Sequence, residues 1–146
     1  MKDYEQAREL IIQIIKTRTS FRQTLQRVLK CHNIDMTFEM LQVMNSLWHE
    51  QGVSQQMLAG KTAKDKACLT NLMTNMEKRG WIIRKENPAD RRNRLVYLTP
   101  EGEEMNTLIR PVIKDVYSQA GIQMGTREIE ATINQLKRLD EIFSQL

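Results

Sequence analysis

Two cysteines in 146 residues, Cys31 and Cys68, are too few and too far apart for a disulfide framework. They also form no CxxC pair. Two histidines, His32 and His49, make no HExxH or comparable ligand pair. A tetrahedral metal site needs four converging ligands, so neither a metal nor a cofactor is expected. No apolar run approaches the roughly 18 residues of a membrane span, and Met1-Lys2-Asp3-Tyr4-Glu5 lacks the apolar core of a secretory signal. The expectation is a cytoplasmic protein with no membrane partner. Nucleophile–base pairs, phosphate-cradling glycine loops and carboxylate dyads at usable spacing are also missing. No catalytic residue is nominated, and an enzyme is not expected.

What the chain does have is a mixture suited to folding: 40% hydrophobic and 27% charged residues. Its length suits one domain, residues 1–146. The net charge of +4 is modest, but it is unevenly placed. Between Gly60 and Leu95 stand ten cations and four anions, a local +6 that leaves −2 for the rest. A basic surplus concentrated in one quarter of a chain is what a nucleic-acid footprint requires.

Apolar spacing divides the chain into helices and a hairpin. Residues 4–30 carry Leu10, Ile11, Ile14, Ile15, Leu25, Val28 and Leu29 at helical period, without proline or glycine. Thr37 caps a second helix bearing Phe38, Leu41, Val43, Met44, Leu47 and Trp48, and Gly52 ends it. Ser54 caps a short third helix with Met57 and Leu58 inward. Asp65 caps a fourth, with Leu69, Leu72, Met73 and Met76 on its inner face and Gly80 at its end. The period then changes. Residues 81–85 and 94–99 read as two strands around a polar turn at Asn87-Pro88-Ala89-Asp90. Thr99 caps a fifth helix that Pro111 should kink. Gly121 and Gly125 bracket a break, and Thr126 caps a last helix. The expected fold is mainly α with a small β-wing: a winged helix-turn-helix over residues 37–99, flanked by helices at 1–34 and 100–146. Their apolar stripes exceed what one small domain covers, which points to a homodimer.

The middle segment suits duplex DNA. A helix entering the major groove must show small and polar groups outward, and Ala67, Thr70, Asn71 and Thr74 share such a face. Lys64 and Lys66 lie at its N-terminal end, where base edges are usually met. Arg91, Arg92 and Arg94 crowd the hairpin tip, and arginine is favoured in narrow minor grooves. Asp90 would repel phosphate; its expected task is to support the wing by pairing with Arg92 and holding its rotamer.

The run from Met73 to Ile82, and above all Asp90-Arg91-Arg92-Asn93-Arg94-Leu95-Val96-Tyr97-Leu98-Thr99-Pro100-Glu101-Gly102, resembles the MarR family of bacterial transcription regulators. The family's wing signature, Asp-x-Arg followed by Leu-Thr-x-x-Gly, falls on Asp90, Arg92, Leu98, Thr99 and Gly102. The resemblance implies a homodimer with interwoven terminal helices and a pseudo-palindromic operator. It also implies Arg92 in the minor groove, residues 65–79 as the recognition helix, and repression relieved by a small aromatic or anionic effector.

Several residues carry a second reading. Met36, Met40 and Met44 with Trp48 are candidates to line an effector crevice, core packing being the plainer account. Cys68, on the flank of the fourth helix near its positive end, is the candidate for a redox-sensing regulator; Cys31 is expected to be inert. A winged-helix module for protein assembly is the remaining alternative.

Overall fold

In the computed structural model, which describes residues 2–62 and 66–146 with the side chains of 61, 62 and 66 left aside, six helices and three short strands follow in the order α1 (Lys2–Cys31), α2 (Phe38–His49), β1 (Val53–Ser54), α3 (Gln55–Thr62), α4 (Lys66–Lys78), β2 (Ile82–Lys85), β3 (Leu95–Leu98), α5 (Pro100–Met124) and α6 (Thr126–Ser144). This is the mainly α fold with a β-wing that the apolar spacing predicts. The chain divides into two compact units, Met1–Arg110 and Pro111–Leu146.

α1 changes character along its length. Its C-terminal half buries Leu25 and Leu29, whereas Leu10 and Ile15 stay exposed. It ends where Asn33 turns left-handed at φ 56°. Ile34 N–H then donates to the Leu29 carbonyl at 2.9 Å and Asn33 N–H to that of Lys30 at 3.0 Å, the paired bonds that satisfy a helix's last carbonyls. α2 opens as expected, Thr37 Oγ1 accepting from Met40 N–H at 3.2 Å. It closes earlier than expected: the cap is Glu50 in extended conformation, not Gly52. Gly52, at φ 73°, instead turns the chain into β1.

β1 is an element that sequence reasoning missed. Two residues show no alternation, and Ser54 also caps α3, its Oγ accepting from Met57 N–H at 3.1 Å. The sheet is therefore three-stranded and antiparallel, in the order β1-β3-β2, not a free hairpin. Its register pairs Val53 with Val96, Ile82 with Leu98 and Arg84 with Val96. Side chains alternate across a strand, and of the two faces of β3 it is that of Val96 and Leu98 that is buried. Val43, Met44, Leu47, Leu58, Met73 and Met76 are buried as well. Met57, expected inward, is exposed; Leu58 alone fills that site.

Beyond the sheet, Thr99 caps α5, its Oγ1 accepting from Gly102 N–H at 3.0 Å. α5 runs through Pro111 and through Gly121 without interruption. Pro111, lacking an N–H, leaves the Thr107 carbonyl without its usual donor. The break comes at Gly125 alone, at φ 93°, and Gly125 rather than Thr126 is the N-cap of α6, with no side-chain cap. In α6 no residue is buried.

Candidate nucleic-acid interface

The interface begins with how α4 is held. Leu69, Met73 and Met76 bury one side of it, which leaves Ala67, Thr70 and Asn71 exposed on the other. Its C-terminus closes on Gly80 (φ 79°), with Gly80 N–H donating to the Glu77 carbonyl at 3.0 Å and Trp81 N–H to that of Met76 at 3.2 Å. Lys64 and the expected cap Asp65 lie outside the described residues, as does the side chain of Lys66.

Thr74 departs from the expected face. It is half-buried; its Oγ1 donates to the Thr70 carbonyl at 3.0 Å and accepts from Arg84 Nη2 at 3.4 Å. Arg84, on β2, also reaches Glu77: Nε lies 3.2 Å from Oε2 and Nη2 3.2 Å from Oε1. This two-point pairing is the stronger form of guanidinium–carboxylate contact. The hydrogen bonds from Arg84, with its charge and that of Arg94 beside it, hold the Glu77 carboxyl below its ordinary range, against a smaller opposing effect of burial. The Arg84 side chain is only 11% exposed, so this cation braces the lobe and is withdrawn from any polyanion.

Other members of the basic cluster are occupied too. Arg79 donates to the Asp35 carbonyl, sits 3.6 Å from its carboxylate and lies 5.0 Å over the Trp81 ring. Lys85 lies 4.9 Å over Tyr97, and Arg91 pairs with Glu86 at 3.1 Å on the open surface, a bond of little net strength. Among the described residues, Lys78, Lys85, Arg92 and Arg94 are the exposed cations of this cluster without a carboxylate partner, and of these Lys85 is held over a ring.

The wing tip is built from backbone turns. Asn87 Oδ1 accepts from Ala89 N–H at 3.0 Å and the Asn87 carbonyl from Asp90 N–H at 3.1 Å. Asp90 Oδ1 accepts from Arg92 N–H at 3.1 Å, and the Asp90 carbonyl from Asn93 N–H at 3.1 Å. Asp90 therefore supports the wing, but not through the expected pairing of side chains: it holds the Arg92 main chain and leaves the guanidinium outward. The physical reason is reach, since an aspartate two residues before an N–H closes a local turn. The base of the tip is tied to α3, with Gln56 N–H donating to Asn93 Oδ1 at 3.2 Å and Gln55 N–H to the Arg94 carbonyl at 3.0 Å.

The proposed crevice fares differently. Met36, Met40 and Met44 are buried at 7% exposure or less and belong to the core. Trp48 is 39% exposed and carries the Arg110 guanidinium 4.3 Å over its ring. Arg110 is not singled out by the sequence, and Glu77 and Arg84 enter it only as charges of the basic cluster. Their partners are 62 and seven positions away, distances at which periodicity says nothing.

Residues 37–93 match the MarR family. That segment carries the likeness to the family. The family region takes in α2 through the wing tip. The transcriptional regulator HosA of Escherichia coli O111:H- is 35% identical over 78 residues, which span 53% of this chain and 58% of that one. Among solved structures, reduced AbfR bound to DNA superposes with a TM-score of 0.80 at 18% identity, covering 98% of this chain and 97% of that one. NadR in complex with 4-hydroxyphenylacetate gives 0.74 at 23%, covering 88% and 89%. The MarR-family fold thus extends over nearly the whole chain, well past the stretch where the sequences agree.

Proposed function

We propose that this chain is a cytoplasmic, homodimeric regulator of the MarR family that binds a pseudo-palindromic duplex operator and represses transcription until a small aromatic or anionic effector releases it. The observation that carries the reading is the division of labour on one lobe. Ala67, Thr70 and Asn71 are the polar, low-profile face for base edges. Arg92 and Arg94 project from a tip whose backbone is already set, so little ordering is left to be done on binding. Helices 1–34 and 100–146 would pair the subunits, and residues 37–99 would form the DNA-binding lobe. DNA in the AbfR structure and the aromatic carboxylate in that of NadR support the two partners. The Arg110–Trp48 pair offers such an anion a cation and a ring together.

Arg92→Ala is expected to weaken operator binding by about 1–3 kcal/mol, with the dimer intact, and to lower the salt slope by about one. Gel shifts over a salt series on a site selected from random duplex measure both; unchanged affinity would remove the wing from the interface. A second reading attaches to Cys68, which is exposed on α4 and in no disulfide. Oxidation there would add bulk and charge beside Ala67. Loss of binding in peroxide that Cys68→Ser abolishes would favour it; equal binding in both would dismiss it.

A further inference from the structure

We infer that Glu77 is a positioning residue for the wing: through Arg84, it locks the minor-groove arm to the recognition helix. This rests on the DNA-binding reading above and deepens it. Glu77 and Thr74 stand one turn apart on α4, and both hold the same guanidinium on β2. Arg84 is the cross-strand partner of Val96, which is buried against the core. One residue beyond lies Lys85, where β2 ends and the tip begins. The clamp therefore grips the wing at the last turn of α4 and at the last buried register of the sheet. From the other side, Asn93 and the Arg94 carbonyl tie the tip to the N-terminus of α3. The wing is held between both helices of the helix-turn-helix, and Glu77 is the only carboxylate in that holding among the described residues.

Coupling of this kind has a definite consequence. If the wing is locked to α4, docking of the helix delivers Arg92 to its groove, and the two contacts are made as one event. If the lock is opened, Arg92 must be ordered separately and its contribution shrinks. Glu77→Gln keeps the shape of the side chain and removes the charge. Thr74→Val removes the second contact without touching the carboxylate, and serves if the first variant folds poorly.

The test has two arms on the full-length chain. In the first, hydrogen exchange of the free protein is followed over residues 86–94. In Glu77→Gln the amides of Asp90, Arg92 and Asn93 are expected to exchange about tenfold faster, with those of α4 near Met73 unchanged. In the second, a double-mutant cycle is run on a selected duplex. The loss caused by Arg92→Ala, of the order of tenfold in the parent, is expected to fall to within twofold in Glu77→Gln. Exchanging the pair, as Glu77→Arg with Arg84→Glu, is expected to restore at least half of the loss. Faster exchange in α4 and the wing alike, or an Arg92→Ala penalty of the same size in both backgrounds, overturns the proposal and leaves Glu77 a stabilising residue only. A parent chain that binds no duplex, together with faster exchange confined to the wing, sinks the DNA reading and leaves the mechanical coupling standing. No change in exchange sinks the coupling whatever the DNA result.

Discussion

Gly102 shows how narrow the tolerance is at single residues. A Cβ placed there would lie 2.0 Å from the Trp81 carbonyl oxygen, a backbone atom that cannot swing aside. The same carbonyl accepts from Thr99 N–H at 3.0 Å, and Thr99 Oγ1 donates to the Gly80 carbonyl. The Leu-Thr-x-x-Gly stretch is thus a docking joint between the end of α4, the start of β2 and the start of α5. Gly102→Ala is expected to cost about 3 kcal/mol, at the upper end of overpacking, read as a shift of the urea midpoint. Glu77 makes a prediction about pH. Its folded carboxyl titrates below its ordinary value of 4.5, so its stabilising share is complete above that pH and fades as pH falls through the lowered folded value. The urea midpoint of the parent should exceed that of Glu77→Gln at pH 7, and the gap should narrow below pH 4.5. A gap constant with pH would mean that the Arg84 pairing adds nothing to folding. With Glu77 38% exposed, the effect is expected to be small.

Among the elements, the ends of α1 and α4 are closed by the same device with different residues. Asn33 takes the left-handed position after α1 and Gly80 that after α4. At Gly80 there is open space for a Cβ, so only backbone strain opposes a side chain. Gly80→Ala is expected to destabilise by about 1–2 kcal/mol, measurable by thermal or urea unfolding, and Gly80→Asn by less. Gly80 was legible because it ends an apolar period; Asn33 was not, because an asparagine outside a turn motif carries no such mark. The wing shows the same limit. Alternation in β3 put Val96 and Leu98 on one face and left open which face is buried, and nothing local announced β1, whose two residues become a strand only because β3 has a free edge beside Gly52.

For the whole molecule, the question is what covers the apolar surface. Ile122 is 81% and Phe143 53% exposed, and Ile133, Leu136 and Ile142 line α6 with no buried residue among them. Apolar faces this long seldom remain bare on a monomer. Leu136→Glu is expected to yield a monomer by light scattering and to weaken operator binding, since two linked half-sites become one. A dimer of unchanged mass would take α6 out of the subunit interface.

The sequence by itself determined the succession of helices and the wing hairpin, the outward polar face of α4, the basic tip and the family resemblance, because each is written in residues close together along the chain. Capping, helical period and strand alternation all act over a few positions. Only the tertiary structure decided which cations are spent. Arg84 and Arg79 count equally with Arg92 in the sum of charge, yet the first lies against Glu77 and the second against Asp35, while Arg92 is held by its backbone and keeps its guanidinium outward. Charge pairing across the fold depends on distances that no local pattern encodes.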